Sequence, residues 1–182
     1  MSSTQIVVLV CALVAVLVLG LAGWAVYRRH ALRDRFGPEY DRAVGEGASR
    51  AAAERELRDR QRRHAQLALR DLTPDARARY AAEWQDLQAR FLDAPGHAVD
   101  DADALVSRLV AERGYPADDH DEQVAQLSVD HARTLGAYRE AHAVSVRNRR
   151  GEASTEELRQ AAVSYRALVA ELLGPTHDVA HR

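Results

Sequence analysis

The chain of 182 residues has room for one membrane segment and one domain. Its 25 basic residues, all of them arginine, almost balance 27 acidic residues, and the net charge of −2 argues against a whole-chain nucleic-acid binder. Aromatic residues make up only 5% of the chain, which disfavours a β-sandwich or barrel, and the single cysteine, Cys11, excludes an intramolecular disulfide and a cysteine-based zinc site.

The first element is an apolar run without a charged side chain, at residues 6–26. A helix of that length spans about 32 Å, close to the roughly 30 Å hydrocarbon core of a bilayer. The residues before the run carry no charged side chain, whereas Arg28, Arg29, Arg33 and Arg35 follow it closely. The positive-inside rule therefore predicts an external N-terminus and a cytoplasmic domain, with membrane lipids around the helix and anionic lipids as candidate contacts of the four arginines.

A cleaved signal peptide is the alternative interpretation of the same run. Small residues in Gly20-Leu21-Ala22 and Gly23-Trp24-Ala25 offer cleavage positions. Against cleavage, no arginine or lysine precedes the run, and the run exceeds the usual 7–15 apolar residues of a signal peptide. If cleavage does occur, the chain becomes an envelope-facing or secreted helical factor.

Beyond the anchor, glycine and proline residues mark helix ends, capping residues mark helix starts, and no segment shows the period-two alternation of a β-strand. The sequence therefore predicts an all-α protein, in which one transmembrane helix precedes a soluble bundle of about four to five helices. The predicted segments are an anchor, a basic juxtamembrane linker, a helical domain and a flexible tail, at residues 1–27, 28–48, 49–174 and 175–182. Predicted helices begin near Pro38, Ser49, Pro74, Ala98, His120 and Thr155. We expect the second to end near Arg70 and the fifth to run unbroken to about Asn148.

Two of these helix starts carry strong capping signals. Thr73 precedes a proline and an acid, which is the order of an N-cap, an N1 proline and a favourable first-turn charge. Ser154 and Glu157 have the spacing of a capping box.

An aromatic stripe follows Thr73, at Tyr80, Trp84, Leu87 and Phe91. The spacing i, i+4, i+7, i+11 places all four on one helix face. Such a stripe usually belongs to a core, and we favour that interpretation over a partner-binding face.

The histidines raise a metal hypothesis. His120, His131 and His142 are spaced by 11 positions, so one continuous helix places them on one side, with about 16 Å between successive rings. That separation is too large for consecutive histidines to share an ion. We therefore expect His131 and His142 to form hydrogen bonds at the rim of a helix interface. Metal binding by these two histidines is the less favoured interpretation. His177 and His181 have i, i+4 spacing but lie in the predicted tail.

Acidic residues gather at two predicted helix starts. The group at residues 118–122 lacks the glycine and the distal glutamate of an EF-hand loop, whose twelfth position here is Val129. We interpret this group, like Asp100, Asp101 and Asp103, as ordinary acids at a helix N-terminus.

Charge is divided along the chain. Residues 28–70 hold 12 arginines and 7 acids, whereas residues 71–182 hold 13 arginines and 20 acids. A basic membrane-proximal half suits an anionic cytoplasmic leaflet.

Several blocks of the sequence resemble a family of bacterial proteins common in actinobacteria, which are described as membrane or secreted proteins and have no established activity. The blocks lie at residues 35–44, 53–67, 79–106, 113–116, 127–142 and 151–173. The resemblance implies one coherent domain over most of the soluble part and adds no catalytic or cofactor-binding residue.

No hydrolase, P-loop, dinucleotide-binding, zinc-protease or kinase motif occurs in the sequence. We therefore assign no catalytic, cofactor-binding or metal-ligating residue and no cofactor. The sequence predicts a non-catalytic, membrane-anchored scaffold or adaptor with an unknown protein partner, and it leaves homo-oligomerisation open. The envelope-facing factor and, less favoured, a His/Asp metal-binding protein are the alternatives.

Overall fold

The computed structural model describes the backbone of residues 3–174 and the side chains of residues 13–174. This part of the chain forms eight α-helices and no β-strand, which confirms the all-α prediction. The predicted tail at residues 175–182 lies outside the described residues. In chain order the helices are α1 (Ser3–Phe36), α2 (Pro38–Glu46), α3 (Arg50–His64), α4 (Pro74–Arg90), α5 (Pro95–Glu112), α6 (His120–Asp130), α7 (Ala132–Asn148) and α8 (Thr155–Leu173).

The chain divides into two compact units, Met1–Leu57 and Arg58–Arg182. The division falls inside α3. The segments expected from the sequence, an anchor, a basic juxtamembrane linker and a helical domain with limits near residues 28 and 49, stay a prediction.

In the first unit, α1 continues past the apolar run through the arginines that follow it. It has 34 residues, which corresponds to about 51 Å and exceeds the roughly 30 Å hydrocarbon thickness. Within Leu13–Phe36 it contains a stretch long and apolar enough to cross a membrane, and none of that stretch is buried. An N-terminal helix capable of spanning a bilayer is therefore present, as the sequence predicts.

The rest of the first unit is held together around Glu54. The chain turns at Gly37, whose φ of 46° suits glycine, and Pro38 begins α2. The Tyr40 hydroxyl donates a hydrogen bond of 2.9 Å to Glu54 Oε1, and Arg29 Nε lies 3.1 Å from the same oxygen. Burial, followed by the hydrogen bond to Glu54, raises the pKa of Tyr40, so its hydroxyl remains a donor.

In the second unit, helices α4 to α8 enclose one hydrophobic core. Helix α7 packs most extensively against α8, and α5 packs against α4, α7 and α8. The inward side chains of α5 include Val99, Leu105 and Leu109, which have no exposed surface. The predicted aromatic stripe is confirmed as core at Tyr80, Trp84 and Leu87, which are all buried.

Local signals set several helix starts as predicted. Thr73 accepts a hydrogen bond of 3.1 Å from the backbone N–H of Ala76. Ser154 and Glu157 form both hydrogen bonds of a capping box, which confirms that motif.

The helix predicted for residues 49–70 ends earlier than expected, because α3 stops at His64. The following segment bonds to the end of α5 instead of continuing the helix. Arg70 donates its backbone N–H to Arg113 O at 3.0 Å and its Nε to Glu112 O at 2.7 Å. The close approach requires Gly114, which has a φ of 93° and would place a Cβ 2.6 Å from Ala68 O.

The prediction of one unbroken helix from residue 120 to residue 148 is wrong, because the chain leaves helical geometry at His131. That residue has φ −119° and ψ 28°, and it separates α6 from α7, which pack against each other. Its Nδ1 lies 2.7 Å from Glu171 Oε1 on α8. This tertiary hydrogen bond and the packing of α6 on the core override the local tendency to continue one helix.

Candidate functional site

A largely buried polar site lies between α5, α6, α7 and α8, where the break at His131 allows α6 to pack against α7. We call it the Asp103 cluster; it consists of Asp103, His120, Tyr138, His142 and Tyr165. The Tyr165 hydroxyl donates a hydrogen bond of 2.8 Å to Asp103 Oδ1, and His142 Nδ1 lies 2.8 Å from the same oxygen. One carboxylate of α5, itself only 7% exposed, thereby joins α7 and α8.

These contacts determine the protonation states of Asp103 and Tyr165. Burial opposes ionisation of Asp103, but the hydrogen bond and charge of His142, then the Tyr165 hydrogen bond, hold the pKa of Asp103 below its usual value. Burial and the charge of Asp103 raise the pKa of Tyr165 far above its usual value. At neutral pH, Asp103 is thus a carboxylate acceptor and Tyr165 a neutral donor.

The two histidines of the cluster lie face to face. Their ring centroids are 4.0 Å apart with an interplanar angle of 21°. Burial, followed by the charge of His142, lowers the pKa of His120. The prediction that His120, His131 and His142 lie about three turns apart on one helix face is wrong, since the fold brings the outer two into contact.

Tyr138 completes the cluster. Its ring centroid lies 6.0 Å from that of His120 and 6.1 Å from that of Tyr165. Within residues 13–174 its buried hydroxyl meets no hydrogen-bond partner. Burial and the charge of Asp103 raise its pKa, so the group is a neutral, unsatisfied phenol.

A second carboxylate, Asp100, bonds the start of α5 to the end of α7. The Ser145 hydroxyl donates to its Oδ1 at 2.8 Å, and Asn148 Nδ2 donates to its Oδ2 at 2.9 Å. Arg149 Nη1 lies 3.8 Å from Asp100 Oδ1 and 3.6 Å from Asp103 Oδ2. The assignment of Asp100 and Asp103 as ordinary acids at a helix start misses these inter-helix roles.

One signal in the sequence could have identified Asp103. It shares a helix face with Val99 and Val106, so a carboxylate stands among inward apolar positions. A charged group on such a face is rarely buried without a partner. Asp101 is exposed and pairs with Arg90 at 2.9 Å, as expected of a surface acid.

The other histidine named from the sequence bonds elsewhere. His131 pairs with Glu171, whose other oxygen accepts from the Thr134 hydroxyl at 2.7 Å. The ring centroid of Tyr115 lies 6.3 Å from that of His131, and burial raises the pKa of Tyr115 to about 12. His131 and His142 therefore bind different carboxylates and form no common site.

A search of the described residues finds no group of three or more histidine, cysteine, aspartate or glutamate side chains placed to hold a metal ion. His177 and His181 lie outside the described residues. At the acidic group, the Asp119 side chain accepts from the backbone N–H of Asp121 at 2.9 Å and of Glu122 at 3.2 Å. This N-cap confirms that the group marks a helix start.

The geometry limits what the Asp103 cluster can do chemically. A histidine oriented by a buried carboxylate is the pairing that supports a general base. Within residues 13–174, however, no hydroxyl or thiol is hydrogen-bonded to His142, and the nearby hydroxyls of Ser145 and Tyr165 donate to Asp100 and Asp103. The contacts of the cluster therefore join α5, α7 and α8.

A second candidate site is an apolar cleft of about 190 Å³ between α4, α5 and α8, which we call the α4–α8 groove. The walls include Trp84, Leu87 and Phe91, so the end of the predicted core stripe also reaches the surface. Ala98 and Ala102 of α5 also line it, and their small side chains leave space between the larger ones.

The arginines that follow the apolar run all lie on α1. Arg33 Nη2 lies 3.3 Å from Asp41, and Arg29 bonds to Glu54 as described above. The Arg28 guanidinium lies 4.7 Å from the centroid of the Trp24 ring. Contact between Arg28, Arg29, Arg33 or Arg35 and anionic lipids stays a prediction.

Comparison of the chain with protein-family models, curated proteins and solved structures finds no match.

Proposed function

We propose that this protein is a non-catalytic scaffold or adaptor, held at the cell membrane by α1, whose second unit binds a protein partner. The observation that carries the proposal is the exposed apolar surface of α1. Leu13, Leu17 and Leu21 are each at least 57% exposed along this helix. Because burial of one such side chain is worth about 1.5–3 kcal/mol, a lipid environment stabilises the helix strongly relative to water.

Charge supports an orientation with the N-terminus outside and the helical domain in the cytoplasm. The arginines at 28, 29, 33 and 35 follow the apolar stretch, and no acid or arginine precedes it. The part of α1 that carries them extends beyond the hydrocarbon thickness, where guanidinium groups meet headgroups and water.

The adaptor role is supported by how the second unit uses its polar groups. Asp100, Asp103 and Glu171 each accept hydrogen bonds from another helix, so they contribute to the packing of α5, α7 and α8. The α4–α8 groove, by contrast, is an apolar surface open to solvent. Polar groups that are used in helix packing, together with an exposed apolar groove, favour a module that binds a protein over an enzyme.

The anchor is tested with two variants of the full chain. Leu17→Arg places a charge in the apolar stretch, where a central arginine costs about 2.5–3.5 kcal/mol on insertion scales. His30→Arg adds the same side chain at an exposed position near the arginines and serves as the control.

Membranes are washed with alkaline carbonate, and the bound fraction is measured for each variant. We expect the wild type and His30→Arg to stay bound and Leu17→Arg to lose a large share. Release of the wild type by carbonate would contradict the anchor. In-cell crosslinking that recovers no protein attached to the second unit would contradict the adaptor role.

A further inference from the structure

The groove is accompanied by an exposed apolar projection. Within residues 13–174, the large apolar side chains that are exposed outside α1 are Leu92, at 88%, and Val163, at 43%. Val163 lines the α4–α8 groove, and Leu92 directly follows Phe91, which also lines it. One exposed apolar side chain therefore lies in the recess, and the other adjoins a residue of its wall in the chain.

Charges on this surface are complementary. Arg166 lines the groove, and Asp93 lies beside Leu92; both are exposed. In the part of the chain that the structure describes, neither forms an ion pair, whereas Arg159 in the same groove is held by Glu156 at 2.6 and 2.9 Å. An exposed leucine, Leu92, is thus next to an acid, Asp93, and the apolar groove contains a base, Arg166.

We propose that the α4–α8 groove is the interface between two copies of this chain, with Leu92 of each copy seated in the groove of the other and Asp93 of each facing Arg166 of the other. A two-fold interface pairs residue i with j and j with i, so one surface supplies both the projection and the recess. The proposal rests on the proposed function, because anchors in one membrane plane raise the effective concentration of the two copies.

The size of the groove is consistent with this occupant. A cavity of about 150 Å³ in another protein admits benzene, so the cleft of about 190 Å³ admits the four carbons of a leucine side chain. The small side chains of Ala98 and Ala102 keep that space open.

The first test is site-specific crosslinking of the full chain in its membrane, in a Cys11→Ser background. Two differently tagged copies are co-expressed, one carrying Leu92→Cys and the other Val163→Cys. Membranes isolated from these cells are treated with a mild thiol oxidant, since cytoplasmic thiols are otherwise kept reduced, and we expect a disulfide-linked product that contains both tags. Leu92→Cys paired with Glu140→Cys, an exposed position on α7 outside the groove, is the control and should give at most about a tenth of that product.

The second test exchanges charges in detergent-solubilised full chain, with the dimer dissociation constant measured by energy transfer between labelled copies. Arg166→Glu and Asp93→Arg each place like charges at both contacts, and each should weaken its own dimer by roughly tenfold or more. A mixture of the two variants restores opposite charges at both contacts, so it should form a mixed dimer within about threefold of the wild type. This recovery also shows that both variants are folded.

Equal crosslinking of the Val163→Cys and Glu140→Cys pairs would overturn the proposal, as would a mixture that binds no better than the separate variants. Crosslinks from Leu92→Cys to a different protein would also overturn it, while leaving the adaptor role intact. If the carbonate wash releases the wild type while the mixed dimer still forms, the anchor fails and the self-association stands.

Discussion

The imidazole rings of His120 and His142 stack with their centroids 4.0 Å apart, although the two residues lie on different helices. The contact exists because the chain leaves helical geometry at His131 and α6 packs against α7. Asp103 Oδ1 lies 2.8 Å from His142 Nδ1, and Arg149 and Tyr165 contact the same carboxylate. Packing and proton binding are therefore coupled in the second unit.

Stability should fall as the solution is acidified. The pKa of His120 is lowered in the folded state, first by burial and then by His142, so the unfolded chain binds more protons below about pH 6.5, the ordinary histidine value. The contribution of His120 is complete above that pH and is lost as the pH falls towards the folded-state pKa. The pKa of Asp103 is also lowered, because the contacts with His142 outweigh burial, and its contribution is lost at lower pH, below about 4.

The measurement is chemical unfolding of the full chain in detergent, followed by helical circular dichroism at a series of pH values. His120→Phe keeps an aromatic ring against His142 and removes the titrating group. We expect the free energy of unfolding to depend less on pH between about 5 and 7 in this variant. An unchanged slope would show that His120 does not contribute to the pH dependence.

Asp103→Ala should destabilise the second unit strongly. It leaves the buried Tyr165 hydroxyl without its acceptor, at about 1–3 kcal/mol, and removes the contact of the half-buried His142. Asp101→Ala, on the same helix, is the matched control, because Asp101 is about half exposed and its pair with Arg90 is worth about 0–1 kcal/mol. Unfolding free energies that differ by less than about 1 kcal/mol between the variants would contradict the buried role of Asp103.

The two tyrosines of the cluster should respond differently to loss of the hydroxyl. Tyr165→Phe removes the donor to Asp103 and should cost about 1 kcal/mol or more. Tyr138→Phe removes a buried hydroxyl that has no partner among residues 13–174, so it should be neutral or slightly stabilising. The comparison is made by thermal unfolding of the two variants under the same conditions. Equal losses of stability would mean that the Tyr138 hydroxyl has a hydrogen-bond partner.

Two glycine substitutions should have opposite effects. Gly114→Ala introduces a Cβ 2.6 Å from Ala68 O at a φ of 93°, so it should destabilise the protein by more than about 1 kcal/mol. Gly136 lies in α7 with no atom within 4 Å of an added Cβ, and Gly136→Ala should stabilise by about 0.5–1 kcal/mol through helix propensity. A stabilising Gly114→Ala would mean that the close approach of residue 68 is absent in solution.

The features that the sequence predicts correctly are those set by neighbouring residues. Thr73, Ser154 and Glu157 satisfy backbone groups within one turn, and the i, i+4 periodicity from Tyr80 to Leu87 identifies a buried face. The break at His131 depends on Glu171, 40 positions away, and the role of Asp103 depends on His142, 39 positions away. Local patterns do not specify such distant pairs, which form only after the helices pack.

The most direct test of the proposed function is the side of the membrane on which the second unit lies. A reporter active on only one side is fused to the C-terminus of the full chain, and its activity is measured together with fractionation. The account predicts a membrane-bound protein with a cytoplasmic reporter. An external signal would contradict the orientation, and release of the second unit into the medium would show that the apolar stretch at residues 6–26 is a cleaved signal.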